Sequence, residues 1–190
     1  AVIIGVRGVI GKDSAKIANA TAGISNFLDY VTKLDGYYED GSFVQHNYYA
    51  YTGGYGISLL ESISNLMFLL AGSSFDITDP DIVNVYQWVY DSYEPLIYKG
   101  AMMDMVRGRE ISRHYAQDHV VAQGAIRSIL LLSEIAPSTD ALAFKRMVKY
   151  WMQADTFSSL LTTSSIYMIE KATALLNNAS IAPRDELLTY

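Results

Sequence analysis

The sequence has no cysteine, only 4 prolines and a low fraction of charged residues. Without cysteine the protein can form no disulfide, no thiolate zinc site and no cysteine nucleophile, and the redox compartment stays open. Only 18% of the 190 residues are charged and 51% are hydrophobic, so the chain is not of the disordered class. We expect one folded unit, because a domain averages about 150 residues.

Cationic residues and long apolar runs are also scarce. The 14 Lys and Arg against 20 Asp and Glu give a net charge of 14 − 20 = −6. Binders of nucleic acids or anionic membranes need Lys and Arg to neutralise phosphates, so we predict no nucleic-acid and no membrane partner. The same charge argues against a polyanionic ligand. The apolar run at 1–4 is interrupted at Gly5 and Arg7, far short of the roughly 20 residues that cross a bilayer.

Tyrosine, by contrast, is abundant, with 15 residues in a chain that is 12% aromatic. A tyrosine combines an apolar ring with a polar hydroxyl, which suits sugar faces and wet interfaces. The alternative is that most of these rings pack a large helical core.

Helical periodicity dominates the chain and predicts an all-α fold. Asp79 and Pro80 are residue types that begin a helix, and residues 138–139 are predicted to cap another helix that carries Leu142, Val148 and Trp151. Helices arriving in pairs suit an α/α toroid or solenoid. Helices are predicted at 57–71, 79–93, 114–136, from 138 onward and at 164–178, with at least one more in 9–34. Short strands are predicted at 2–4 and 43–44.

Two long loops, at 35–56 and 99–113, separate these helices, and loops of that length in a helical unit are often functional. Residues 40–56 of the first loop hold Gln45, His46 and Asn47 among five aromatic rings and a glycine pair. This mixture favours a carbohydrate site, in which rings cover the apolar sugar face and the three polar side chains contact its rim. A turn-rich loop packed by its own aromatics is the alternative.

The second loop leads into a cationic cluster in which Arg107, Arg109 and Arg113 fall within seven positions. Arginine binds a carboxylate through two parallel donors, so such clusters usually face an anion or a buried acid. A solvated charge run, or a pair with Glu110 or Asp118, is the alternative. Arg107 and Arg109 are the stronger candidates for structural roles.

Other motifs predict neither a metal nor a nucleotide cofactor. His114 and Asp118 have i, i+4 spacing, but His119 lies on a different helix face, so the two-histidine zinc motif is absent. The glycines at 5, 8 and 11 do not have the spacing of a dinucleotide fingerprint.

Three segments carry a family resemblance. Residues 40–46 (DGSFVQH), 50–56 (AYTGGYG) and 107–113 (RGREISR) resemble the catalytic α/α-toroid domain of polysaccharide lyase family 8. The family includes hyaluronate, chondroitin AC and xanthan lyases, and residues 100–106 and 115–119 are most similar to bacterial xanthan lyases. The resemblance extends over essentially the whole chain.

The resemblance implies that residues 1–190 are the central part of the toroid in a larger, secreted bacterial enzyme. Upstream helices, a catalytic Asn and downstream β-sheet domains would lie outside this chain, and the rest of the polypeptide would be a partner. Ala1 is not Met and no basic segment precedes the apolar run, which agrees with a piece of a longer protein. No cofactor is implied.

The implied activity is β-elimination at C4 of a glucuronate in an acidic polysaccharide. By resemblance, His46 and the upstream Asn neutralise the uronate carboxylate, while Tyr55 removes the C5 proton and then protonates the leaving oxygen. A tyrosine hydroxyl ordinarily keeps its proton up to about pH 10, so this role asks for nearby cations, such as the arginine loop.

Substrate recognition is implied for four residues. In xanthan lyases the residues that match Arg113 and Tyr115 bind a pyruvate ketal on the terminal mannose. Both are expected at the start of one helix, where free N–H groups also favour an anion. Arg109 and Asn47 are further candidates for substrate binding.

Three alternatives stay open. One is a lyase acting on hyaluronan or chondroitin, and another is a non-catalytic carbohydrate-binding helical module. A glycosidase would need two facing carboxyl groups. No such pair stands out, although Glu39, Asp40 and Asp104 are candidates.

Overall fold

A computed structural model describes residues 1–186, which are mainly α-helical. The α helices are α1 (Val2–Ile10), α2 (Ser14–Ala22), α3 (Ile57–Leu70), α4 (Val83–Trp88), α5 (Asp118–Leu132), α6 (Ser138–Ala154), α7 (Leu160–Thr163) and α8 (Ile166–Asn177). Consecutive helices pack together, as α1 does on α2, α5 on α6 and α7 on α8, and α3 lies against α5. The predicted all-α class, with paired helices as in part of an α/α toroid, is confirmed.

Two small antiparallel sheets lie in the long loops. The first has strands β1 (Gly36–Tyr37), β2 (Phe43–Gln45) and β3 (Tyr49–Ala50) in that order, and the second pairs β4 (Ile97–Tyr98) with β5 (Ala101–Met102). The strand predicted at 43–44 is therefore confirmed.

The strand predicted at 2–4 is wrong, because these residues begin α1. Close packing of α1 explains the difference. A Cβ on Gly5 would lie 2.8 Å from Leu66 Cδ1, and one on Gly8 would lie 2.7 Å from Ile17 Cγ1. These two glycines let α1 approach α2 and α3 as a helix.

The core runs along the apolar stripe of α3 and continues into α5 and α6. The helical spacing of the apolar residues 59, 60, 63, 66, 67 and 70 predicts one buried stripe, and all of them are buried apart from Leu59, which is half-buried. Trp88 and Trp151 are fully buried, and the Trp151 indole donates to the Ile97 carbonyl over 3.1 Å. This bond ties α6 to the second small sheet. The buried stripe residues of α3 are Leu60, Ile63, Leu66, Met67 and Leu70.

Helix ends follow the sequence signals only in part. Asp79 begins its helix as predicted, since its carboxylate accepts from the Asp81 N–H at 3.0 Å. The caps predicted at 138–139 are wrong, because Pro137 occupies the N-cap position and no side chain caps α6. Leu142 is exposed, whereas Val148 and Trp151 are buried on the face of α6 that also holds Phe144 and Met147.

The helix predicted at 114–136 is shorter at both ends and spans Asp118–Leu132. Its start is delayed because the buried guanidinium of Arg107 donates a hydrogen bond to the Ala116 carbonyl. Residues 114–117 are consequently held in a turn.

A π-helical turn at Thr52–Gly56 leads directly into α3 and contains Tyr55. The Tyr37 hydroxyl donates to the Gly56 carbonyl over 3.1 Å and also contacts the Tyr93 hydroxyl. The Tyr37 ring stacks on Trp88 with 4.0 Å between centroids. The turn therefore rests on a packed aromatic core.

Within residues 1–186, no helix combines the length and apolarity needed to cross a membrane.

Candidate active site

His46 lies in the tight turn between β2 and β3, in a strained backbone conformation. His46 and Asn47 have φ values of 55° and 68°, in the left-handed region that costs roughly 1–2 kcal/mol for residues other than glycine. The Asp35 carboxylate accepts from the Asn47 N–H at 2.7 Å and from the Gln45 amide at 2.6 Å. Asp35 thus fixes the turn on both sides of His46.

Tyr55 lies half-buried on the π-helical turn, beside two other rings. The His46 ring centroid is 5.1 Å from that of Tyr55, with an interplanar angle of 86°. Tyr51 meets Tyr55 in a similar edge-to-face contact at 5.0 Å. The structure therefore brings together the two residues that the resemblance assigns to catalysis.

Tyr51 joins the two long loops. Its buried ring lies between Gly54 and Gly108, where an added Cβ would approach ring atoms to 2.5 Å at either glycine. The Arg109 N–H donates to the Tyr51 hydroxyl over 3.2 Å. Both glycines are required by this close approach, and through it the arginine loop is held against the tyrosine loop.

Arg107 has the structural role expected of it. The guanidinium is buried and binds both the Asp104 carboxylate and the Ala116 carbonyl. Arg109 does not share that role. Its side chain is exposed, and Nη2 lies within 3.4 Å of the Tyr55 hydroxyl, as a donor to it.

Arg113 lines the same pocket as Arg109 and Tyr55. It is paired with Glu110, one of the partners considered from the sequence. Arg113 Nη1 and Glu110 Oε2 are 2.6 Å apart. Tyr115 is 65% exposed, with its ring against His114 at 5.5 Å between centroids. The expectation that Arg113 and Tyr115 begin a helix is wrong, because α5 begins only at Asp118.

A cleft of about 430 Å³ opens between the N-terminal halves of α3 and α5, with Tyr55 on its wall. The charged lining residues are Arg109, Arg113, Arg127, Glu61 and Glu110, which give 3 − 2 = +1. The cleft is thus positive although the whole chain carries −6. The argument from net charge against a polyanionic ligand does not hold locally, because a cleft focuses its own field and distant surface charges are screened.

The histidines do not converge on a metal. Among residues 1–186, no group of three His, Asp or Glu side chains has a metal-binding arrangement. His119 Nδ1 lies 2.9 Å from Asp155 Oδ2, far in sequence from the turn at His46.

Two of the three carboxyl groups considered for a glycosidase, those of Asp40 and Asp104, have other partners. The hydroxyl and N–H of Ser42 bind Asp40 and hold the pKa of its carboxyl below the usual range. An acid that stays ionised is a poor proton donor. Asp104 pairs with Arg107.

Sequence reasoning missed Asp35 and Tyr51 of this site. Asp35 has no motif that would reveal it. Tyr51 stands within the quoted segment 50–56, and Glu110 was considered only as a counter-charge. Their roles depend on contacts between distant parts of the chain.

Known proteins are similar in sequence to this chain. The chain is 54% identical over 185 residues to the xanthan lyase of Bacillus sp. (strain GL1), and 39% identical over 186 residues to a hyaluronate lyase of Thermasporomyces composti. These alignments cover 96% and 97% of this chain but only 20% and 24% of the two relatives.

Solved structures share the fold. The structure of Paenibacillus xanthan lyase matches with a TM-score of 0.97 at 55% identity, over 99% of this chain and 18% of that one. Streptomyces coelicolor chondroitin AC lyase in complex with chondroitin sulphate matches with a TM-score of 0.90 at 35% identity, over 97% of this chain and 26% of that one.

The family resemblance drawn from the two loops is confirmed at the level of the whole sequence. Residues 1–150 match the family described as polysaccharide lyase family 8, N terminal alpha-helical domain. With most of its length matched to that domain, the chain belongs to polysaccharide lyase family 8.

Proposed function

We propose that this chain supplies catalytic and anion-binding residues of a lyase that cleaves an acidic polysaccharide next to glucuronate. The favoured substrate is xanthan, from whose side chains the enzyme would release pyruvylated mannose. The observation that carries the proposal is the Tyr55 hydroxyl, which faces the Arg109 guanidinium at 3.4 Å with His46 beside its ring. The identity of 54% to a xanthan lyase favours the substrate.

The elimination requires a base, a group that neutralises the uronate carboxylate, and a proton donor. Tyr55 takes the C5 proton of the glucuronate, the C4–O bond breaks as a C4=C5 double bond forms, and the same hydroxyl returns the proton to the departing oxygen. The C5 hydrogen becomes acidic enough only when the neighbouring carboxylate is neutralised, which is the role of His46. Arg109 stabilises the phenolate form of Tyr55, which takes the C5 proton and is regenerated when that proton passes to the departing oxygen.

Arg113 is proposed to bind the carboxylate of the pyruvate ketal. One guanidinium nitrogen is occupied by Glu110, and the remaining donors are available to a second carboxylate. The exposed side chains of Tyr115 and Asn47 would contribute hydroxyl and amide contacts to the sugar.

We further propose that residues 1–190 are the central part of a catalytic toroid and that the rest of the polypeptide completes the substrate cleft. The chain spans about a fifth of the length of the relatives in the two alignments given above. A polymeric substrate cannot enter a bacterial cell intact, so the enzyme is proposed to be secreted.

The test uses the complete polypeptide with Tyr55→Phe, which keeps the ring and removes only the hydroxyl. We expect wild-type protein to raise ultraviolet absorbance as the unsaturated uronate forms. The variant should be at least a hundredfold slower, because a general base typically contributes about 10²–10⁴-fold to the rate. Activity like that of the wild type in Tyr55→Phe would refute the mechanism.

A lyase acting on hyaluronan or chondroitin is the second candidate. It is favoured by the 39% identity to a hyaluronate lyase and by the structural match to a chondroitin AC lyase. Incubation with each polymer separates the two candidates, because only xanthan can yield pyruvylated mannose. Binding without any unsaturated product would instead indicate a non-catalytic carbohydrate-binding module.

A further inference from the structure

Glu110 fixes both the side chain and the main chain of Arg113. Besides the 2.6 Å contact between Arg113 Nη1 and Glu110 Oε2, the Arg113 N–H donates to the Glu110 carbonyl over 3.0 Å. Both contacts lie at the end of the 3₁₀ helix Gly108–Ser112, at the edge of the cleft. The direction in which Arg113 points is therefore set by one residue.

Glu110 is itself held in place. Its side chain is only 18% exposed, and its N–H donates to the carbonyl of the buried Arg107 over 3.0 Å. Its Cγ lies over the glycine turn that precedes Tyr55, 3.6 Å from the position of a Cβ on Gly54. Glu110 thus connects the arginine loop to the turn that carries the proposed base.

A carboxylate in a cleft that binds an anionic polymer repels that polymer. Its presence there therefore indicates a second role that offsets the repulsion. An unrestrained arginine loses about 2 kcal/mol of rotamer entropy when it is immobilised, and holding it beforehand reduces that loss on binding. The pairing involves one guanidinium nitrogen, so the other donors can bind a second carboxylate.

We propose that Glu110 is the positioning residue that makes Arg113 selective for a sugar with an anionic substituent, of which a pyruvate ketal is the expected example. The proposal rests on the function proposed above for Arg113 and deepens it. It assigns to Glu110 an effect on substrate affinity and none on the chemical step.

The experiment compares complete wild-type polypeptide with Glu110→Ala and Glu110→Gln. Kinetics on xanthan give KM and kcat, and calorimetry gives the Kd for pyruvylated mannose and for plain mannose. Glu134→Ala is the matched control, since Glu134 is a partly buried glutamate that pairs with Lys145 and Lys171 away from the cleft.

In Glu110→Ala we expect KM for xanthan and Kd for pyruvylated mannose to rise about tenfold, as for a lost hydrogen bond to a charged group, with kcat within about twofold. Mannose binding should not change. Glu110→Gln keeps an oxygen that accepts from Arg113, so its values should stay within about threefold of wild type. Glu134→Ala should match wild type in all of these measurements.

Unchanged KM and Kd in Glu110→Ala would overturn the inference. An equal rise of KM and Kd in Glu110→Gln would also overturn it, because the charge of Glu110 and not its positioning of Arg113 would then be responsible. An equal loss for mannose, or a fall in kcat, would indicate a general structural role and overturn it too. If Glu110→Ala does not fold, Glu110→Asp replaces it, with a side chain one methylene shorter.

The calorimetry separates this inference from the proposed function. Wild-type protein that binds pyruvylated mannose but releases none from xanthan would refute the function, and the Kd series would still decide the role of Glu110. Wild-type protein that does not bind pyruvylated mannose would refute the inference.

Discussion

The guanidinium of Arg109 donates to the hydroxyl of Tyr55 over 3.4 Å, across 54 positions of sequence. In the proposed mechanism the Tyr55 oxygen carries negative charge before it takes the C5 proton, and a cation beside it stabilises that charge. This contact joins the two loops whose composition first suggested an acidic sugar as ligand.

Replacing Arg109 with Ala should lower kcat about a hundredfold and leave KM within a few fold, since removing one electrostatic stabiliser typically costs 10²–10³ in rate. The measurement is the initial rate of unsaturated uronate formation by the complete polypeptide. Arg7→Ala, at an exposed position on α1, is the charge-matched control and should behave as wild type. A normal kcat in Arg109→Ala would exclude a role for this cation in the chemical step.

Replacing Asp35 with Ala should lower kcat at least tenfold, because the left-handed turn at His46 loses both hydrogen bonds that hold it. Asp35→Asn keeps one acceptor oxygen and should be intermediate. Asp13→Ala, which removes the N-cap of α2, is a control that weakens a helix end without touching the site. If Asp35→Ala and Asp13→Ala had the same kcat, the turn would not depend on Asp35.

Gly108→Ala should destabilise the protein by about 2 kcal/mol and also reduce activity, because its Cβ would meet the Tyr51 ring and its φ is +52°. Gly72→Ala is the matched control. Gly72 has a φ of +70° but nothing within 4 Å of an added Cβ, so it shares only the backbone cost. Denaturant unfolding gives the free energies. Equal losses at the two glycines would show that Tyr51 does not clamp the loops.

Alkaline pH should destabilise the protein through Tyr37 and Tyr93. Burial raises the pKa of both hydroxyls, and in Tyr93 the neighbouring Tyr37 adds to the shift. A raised folded-state pKa gives stability that is complete below the unfolded value of about 10 and declines as the pH rises above it. The loss approaches about 1.4 kcal/mol per pH unit for each hydroxyl while the folded form keeps its proton.

Unfolding free energies measured between pH 8 and pH 11 test this dependence. The Tyr37→Phe/Tyr93→Phe double variant should show a shallower decline above pH 10 than wild type, because neither hydroxyl remains to titrate. Parallel curves for the two proteins would mean that other groups cause the alkaline loss.

Helical stripes and loop positions could be predicted from sequence because they depend on neighbours along the chain. The buried face of α3 repeats every three to four residues, and Asp79 caps the adjacent N–H groups as its position indicates. Both features involve residues within a few positions of each other.

Predictions failed where distant residues decide the local conformation. The start of α5 is delayed by Arg107 binding the Ala116 carbonyl, and the run at residues 1–4 is helical because two glycines in α1 fit against α2 and α3. Periodicity carries no information about either contact.

The sequence by itself determined the all-α class, the two long loops and the arginine, histidine and tyrosine residues on which the proposed function depends. Only the tertiary structure decided which of these residues meet. Tyr51 can pack between the loops because Gly54 and Gly108 leave room for its ring, and it accepts a hydrogen bond from the N–H of Arg109, whose side chain contacts Tyr55. Such contacts depend on packing in three dimensions, which one-dimensional spacing does not encode.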